Sequence, residues 1–347
     1  GAAFAQSSVT LFGVVDAGIT YVDGKDNWSG MHNGGNSSSR LGFRGVEDLG
    51  NGLKASFWLE GAISNDVGTG AGGGRTETGF QFARRSTVGL EGGFGELRLG
   101  RELSAAYNAT SRYDVFGQVG LAASKLWANT GFGGVRSTTQ RIDNAVTYLS
   151  PNFSGFRFNA NYGFGEAQDN TGVSNRASRY MGAGVTYDNG PLSLGLSAER
   201  QNRGTATDAT LDVSAWALGG SYNFGAAKLA AGYRDSEGKN LNGTAKQELS
   251  GYYLGVSAPV GAAGEIRASY NHYEVKRSIT ARKLKADQFS IGYVHNLSKR
   301  TAVYGTYSYL KNKTDINGVN AGITLSNDVA LDKGKQQGLQ VGIRHNF

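Results

Sequence analysis

The sequence predicts an all-β protein, a sixteen-stranded antiparallel transmembrane β-barrel, from three observations. Apolar residues recur at every second position along most of the chain. Short turns and long polar loops alternate. The apolar parity carries almost no charge in any strand. In the first stretch Val9, Leu11, Val15, Ala17, Ile19 and Tyr21 share one parity and Thr10, Asp16 and Thr20 the other, although Phe12 and Val14 interrupt the polar side. Leu53, Ala55, Phe57 and Leu59 oppose Lys54, Ser56, Trp58 and Glu60. Phe156, Phe158, Ala160 and Tyr162 oppose Arg157, Asn159 and Asn161. Leu192 to Ala198 oppose Ser193, Ser197 and Glu199, Ile266 to Tyr270 oppose Arg267, Ser269 and Asn271, and Leu339 to Phe347 oppose Gln340, Arg344 and Asn346.

The connections follow the same logic. Gly, Asn, Asp and Pro clusters near 48–52, 92–95, 151–154, 188–191, 223–225, 259–262 and 296–299 supply the backbone angles of tight turns. Between them lie long polar, Gly-rich segments at about 23–38, 64–79, 102–138, 165–177, 202–209, 235–247, 274–285 and 311–336. Both chain ends then fall on the short-turn side of a sixteen-stranded meander. A soluble barrel would carry charge on its outer face; here Lys54, Glu60, Arg157, Arg267 and Arg344 all sit on the polar parity, which therefore faces water inside while the apolar parity faces lipid.

Composition narrows the function. Of 347 residues 54 are Gly and none is Cys, which removes disulfides, thiolate metal sites and Cys nucleophiles. No run approaches the ~18 apolar residues of a transmembrane helix. The net charge of +7 permits an anionic partner, but basic residues come mostly in pairs with no basic arm or nucleic-acid reading motif, so nucleic acid is not expected. Gly68 to Gly73 matches a dinucleotide-binding glycine pattern without the strand and helix that pattern needs. The four His are scattered, and neither a cofactor nor a metal is implied. Ala3-Phe4-Ala5 fits the end of a secretory signal; residues 1–5 are expected to be a signal-peptide remnant or a cloning scar, and 6–347 a single transmembrane β-barrel domain.

Several segments resemble general porins of Gram-negative bacteria, above all the anion-selective trimeric porins of β-proteobacteria. They are Ser8-Val9-Thr10-Leu11-Phe12-Gly13, the run Ser39 to Gly50, Phe57-Trp58-Leu59-Glu60, Arg84-Arg85-Ser86-Thr87-Val88, Gly95 to Arg101, Ser150-Pro151-Asn152-Phe153, Tyr293 to Thr301 and the terminal Val341 to Phe347. The resemblance spans the chain from about residue 7. It implies an outer-membrane homotrimer in contact with outer-membrane lipid, a third long loop folded into each barrel, and passage of small hydrophilic solutes and anions. It also implies that the second long loop latches onto a neighbouring subunit.

The segment 102–138 is the longest connection and carries apolar pieces, Val115-Phe116, Val119-Gly120-Leu121 and Leu126-Trp127, that a solvated loop does not need. They favour a loop packed on the inner wall over a mobile external one. By resemblance the facing wall holds a basic cluster, here Arg40, Arg84 and Arg141. Arg40 opposes Leu41 and Phe43 and so faces inward; Arg84 and Arg85 have opposite parity, so only one should line the pore, and the resemblance favours Arg84. Arg44 and Lys54 share the inward parity and extend the strip. The loop's acids are Glu102 and Asp114, and Asp114 has a second role open to it, capping loop amides. Arg112, Lys125 and Arg136 lie in the same segment, so the charge sum favours anions. The expected function is passive diffusion of small hydrophilic solutes with anion preference and no enzymatic step. A substrate-specific anion channel is the alternative, followed by an outer-membrane enzyme or adhesin.

Overall fold

A computed structural model describes residues 7–71, 79–128, 135–165, 178–204, 211–240, 246–277 and 282–347. The expected signal remnant, the Gly-rich stretch beyond Ala71 and the tips of several long connections lie outside these residues. Nineteen strand segments form one antiparallel sheet. In three places two segments continue one another across an interruption, which leaves sixteen staves. They are β1 (Ser7–Asp23), β2 (Asn27–Asn33 with Arg40–Gly50), β3 (Leu53–Ser64), β4 (Thr69–Ala71 with Arg85–Gly92), β5 (Gly95–Leu103), β6 (Arg141–Ile142 with Ala145–Leu149), β7 (Phe156–Gly163), β8 (Tyr180–Asn189), β9 (Leu192–Asn202), β10 (Leu211–Asn223), β11 (Lys228–Asn240), β12 (Lys246–Val260), β13 (Gly264–Arg277), β14 (Arg282–Asn296), β15 (Thr301–Asn312) and β16 (Lys335–Asn346). Each pairs with the next, and β1 closes on β16 from Val14↔Asn346 to Asp23↔Gln337.

Closure satisfies the backbone, and alternation then sorts the side chains. Val9, Leu196, Leu254 and Ile343 remain 53–70% exposed on the outer face, while Asp16, Thr20, Ser197, Asn271 and Gln340 are buried on the inner one. Aromatic rings mark both edges of the apolar band. Phe156 meets Tyr187 and Tyr222 meets Phe224, at centroid distances of 4.5 and 4.6 Å, near the short turns. Trp216–Tyr233, Tyr252–Tyr270 and Tyr270–Phe289 form the second row toward the long loops.

Beyond that second row the strands continue and their polarity inverts. On β11 the outward series Leu229, Ala231, Tyr233 gives way to Asp235, Glu237 and Lys239. On β13 Ile266, Ala268 and Tyr270 give way to His272, Glu274 and Lys276. The inward positions there are apolar: Leu249, Tyr273, Val275, Leu284, Ala286 and Leu310 are buried in one cluster with Leu121, Leu126 and Trp127 of the third long connection and Ala321, Ile323, Leu325 and Val329 of the last. The barrel therefore ends in a conventional hydrophobic core with a charged exterior. This corrects the loop limits expected near 235–247 and 274–285, where β11 to β14 extend to within a few residues of one another. Charge on the outward face broke the apolar parity and read as loop. The first long connection is likewise shorter than expected, because 27–33 pairs with β1 after a turn at 24–26.

The chain end is built into the seam. The Gly13 and Phe347 backbones exchange two hydrogen bonds of 3.0 Å. A Cβ on Gly13 would meet the Phe347 ring at 2.4 Å, so the ring covers that glycine on the outer face. Deleting Phe347 is expected to lower the heat-modifiable barrel recovered from outer membranes while total expression stays unchanged. Equal recovery on unheated gels would contradict this role.

Candidate functional site

The third long connection lies against the inward-facing side of the wall. Ser104 caps the short helix α1 (Ala105–Thr110), its hydroxyl accepting from the Tyr107 N–H at 3.1 Å. From there the segment follows a track of inward glycines. Ala109 sits over Gly184 of β8, Tyr113 over Gly195 and Gly219 of β9 and β10, Val115 over Gly255 and Leu126 over Gly251 of β12, Phe116 over Gly292 of β14, and Leu121 over Gly338 of β16. A Cβ at these positions would come within 2.5–2.9 Å of the segment, which is why the wall uses glycine there. Polar ties fix the far end: Gln340 accepts from the Leu121 N–H at 3.0 Å, and Arg234 donates to the Leu126 carbonyl at 2.6 Å while pairing with Glu199 at 3.0 Å.

Asp114 organises the turn of this segment. Its buried carboxylate accepts from the backbone N–H groups of Phe116, Gln118 and Ser124 at 3.0, 3.2 and 3.0 Å, and from the Gln118 amide at 2.7 Å. Burial pushes its carboxyl above the ordinary carboxylate range against the pull of those donors. The capping role weighed from the sequence is thus the one its contacts describe.

Facing the segment is a cavity of about 670 Å³ that Tyr107, Asp114, Phe116 and Gln118 line from the loop side. Arg40 and Arg141 line it from β2 and β6, and Arg84 from just before the second part of β4; Arg112, Lys228, Arg267 and Arg344 complete a set of seven cations against two lining carboxylates, Asp114 and Glu265. Arg84 donates through Nε to Glu60 Oε1 at 2.7 Å, and Trp58 donates to Glu60 Oε2 at 2.9 Å. Arg141 donates to the Arg84 carbonyl at 3.0 Å. Among the described residues neither Arg40 nor Arg141 has a carboxylate within ion-pair range.

The remaining residues singled out from sequence fall elsewhere. Glu102 is not a loop acid: β5 runs to Leu103, and Glu102 faces inward beside Arg98 at 3.1 Å and Arg85 at 3.7 Å. Lys54 pairs in register with Asp48 and Glu91 beside the turn at 51–52, at the short-turn rim and away from the cavity. Arg44 lies two residue rows from Arg40 toward the short turns. The supposed exclusion between Arg84 and Arg85 does not hold. Arg85 sits opposite Glu60 in the strand register and points inward, while Arg84 precedes the strand, escapes its pleat and pairs with Glu60, so both reach the lumen. Arg112 was counted in the loop's charge from the sequence, whereas Lys228, Arg267 and Arg344 were not placed at the site. The inward parity of Arg267 and Arg344 was visible, but their common depth depends on pairings across the barrel.

A closed barrel with an apolar exterior and a cationic, water-accessible lumen defines a membrane channel. The chain belongs to the Gram-negative porin family, whose family model matches residues 1–315, and it is an outer-membrane protein. It is 44% identical to outer membrane porin protein 32 of Delftia acidovorans over 353 residues, covering 100% of this chain and 96% of the relative. It is 33% identical to an outer membrane porin of Bordetella pertussis, again over 100% of this chain and 96% of the relative. The solved anion-selective porin from Comamonas acidovorans superposes with a TM-score of 0.84 at 42% identity, over 99% of this chain and 100% of that one. A loop-deleted OmpT of Vibrio cholerae shares the fold, with a TM-score of 0.70 at 18% identity over 98% and 99% of the two chains.

Removing the loop's internal cap tests its role. Asp114→Asn replaces one acceptor oxygen by an amide NH2 facing N–H donors, a change of about 1–3 kcal/mol. The variant is expected to assemble but to show raised open-channel current noise; noise equal to the unsubstituted protein would exclude Asp114 as the organiser of the segment.

Proposed function

We propose that the protein is a passive diffusion channel for small hydrophilic solutes, that it prefers anions, and that it works without covalent chemistry as a homotrimer. The observation that carries the anion preference is the lining of the lumenal cavity, seven cationic side chains of which only Arg84, Arg112 and Arg267 pair with a carboxylate among the described residues, Glu60, Asp188 and Glu265. Arg40 and Arg141 contribute most directly, because no carboxylate pairs with them among the described residues; Arg84 contributes less, because Glu60 offsets it. Asp114 is turned into its own loop and faces N–H donors, which removes it from the field that ions meet. The 42% identical solved relative is itself named as anion-selective. For the trimer, the support is the family resemblance together with the exposed pair Phe80 and Phe82, packed edge to face at 5.3 Å, with Phe80 on the outer face at Gly61 of β3.

The mechanism is electrostatic enrichment in a narrowed aqueous path. Two unit charges at 4 Å interact by about 1 kcal/mol in water and by more beside protein walls, so each unpaired arginine biases chloride over potassium several-fold. The Debye length falls from ~10 Å at 0.1 M salt to ~3 Å at 1 M, so the bias weakens with salt. In planar bilayers under a dilute KCl gradient the reversal potential is expected to favour chloride, to decline toward 1 M, and to shift toward potassium in Arg40→Glu. A cation-selective unsubstituted channel would overturn the proposal.

A further inference from the structure

Two large aromatic side chains stand on the polar parity, inside the lumen. The inward rows of the wall run Phe12↔Gly42↔Glu60↔Arg85 and Thr10↔Arg44↔Trp58↔Thr87, one and two rows from Arg40 toward the short turns. The Phe12 ring lies over Gly42, where a Cβ would meet it at 2.4 Å. Its centroid is 5.0 Å from that of Trp58, with the ring planes at 59°. The Arg44 guanidinium spans the opening of this V, 5.4 Å from the Phe12 centroid and 5.3 Å from the Trp58 centroid. Arg85, on the strand flanking Trp58 from the other side, lies 4.4 Å over the same ring. Glu60 holds the indole in place through its N–H at 2.9 Å, using the oxygen that does not bind Arg84.

The two arginines differ in what they leave open. Arg85 donates to Thr87 at 3.0 Å and lies 3.7 Å from Glu102. Arg44 stays exposed and makes no hydrogen bond or ion pair among the described residues, so its planar edge of N–H donors faces the water of the lumen. Phe12 and Trp58 remain half-buried beneath it. A bare lining charge would need neither ring. The rings orient the guanidinium by stacking and leave apolar surface next to its donors, an arrangement that matches a ligand with a carboxylate at one end and a flat apolar body.

We propose that Phe12, Arg44 and Trp58 form a second solute-binding step below the basic wall, selective for aromatic carboxylates. The carboxylate takes the open donor edge of Arg44, and the ring lies along the exposed surface of Phe12 and Trp58. A small aliphatic or inorganic anion gains only the charge. This inference rests on the channel reading above, and two separate measurements keep the two apart.

The first is calorimetric titration of the detergent-solubilised protein with benzoate, cyclohexanecarboxylate and acetate, which needs no conduction. Benzoate is expected to bind roughly tenfold more tightly than acetate, with cyclohexanecarboxylate between them. The second is the KCl current in planar bilayers, where benzoate is expected to block in a saturable way. Arg44→Lys keeps the charge and loses the planar fork; it should weaken benzoate binding and block about tenfold. Phe12→Leu should weaken benzoate toward the cyclohexanecarboxylate value, and heat-modifiable mobility verifies that both variants fold. Equal affinity for benzoate and acetate, or unchanged benzoate binding in Arg44→Lys, would overturn the subsite. Benzoate binding without any conductance would sustain the subsite and refute the channel.

Discussion

The structure depends on one constraint: a backbone that crosses lipid must find all its hydrogen-bond partners within the protein. The seam between β1 and β16 meets it, because the ten residue pairs from Val14↔Asn346 to Asp23↔Gln337 remove both edges of the sheet at once. With the sheet closed, alternate side chains can only point to lipid or to the lumen. The apolar half covers the outside, and the polar half is left enclosing water. The chemistry of the channel is thus a consequence of satisfying the backbone, since the lumen collects whatever charge the outer face cannot carry.

That rule holds only as far as the lipid does. Past the row of Trp216, Tyr252, Tyr270 and Phe289 the same pleat continues with its polarity exchanged. Outward positions there meet water and are charged; inward positions meet the third and last long connections and are apolar. The resulting core anchors one end of the third connection, while the glycine track on β8, β9, β10, β12, β14 and β16 receives its middle. The loop is held by two different physical means, burial of apolar surface at one end and close backbone approach along its length. The opposite wall is left free of such packing and carries the arginines.

The parts of this architecture legible in the sequence are those set by alternation alone. The parity of Leu41 and Phe43 was enough to turn Arg40 inward, and Leu339, Val341 and Ile343 marked the last strand. Where two environments met on one strand, alternation misled: Asp235, Glu237, Glu274 and Lys285 read as loop because the apolar face had moved inside. Arg84 eluded a parity argument because it precedes the pleat it was assigned to. The partnership of Glu60 with Arg84 needs the register between two neighbouring strands, and the assembly of Lys228, Arg267 and Arg344 around one cavity depends on registers between distant strands that no local pattern encodes. Phe12 was visible only as a blemish on a polar face, and its reason emerges when Arg44 and Trp58 are found beside it.

The central claim is that unbalanced positive charge on this wall sets the ion preference. Glu60 is the group that keeps the balance from being larger, since it neutralises Arg84 at 2.7 Å. The most direct measurement is the reversal potential of Glu60→Gln in dilute KCl, because this change adds no cation and removes one anion from the wall. The account predicts a shift further toward chloride, one that fades as salt approaches 1 M, where the Debye length is only ~3 Å. An unchanged potential, or a shift toward potassium, would contradict it.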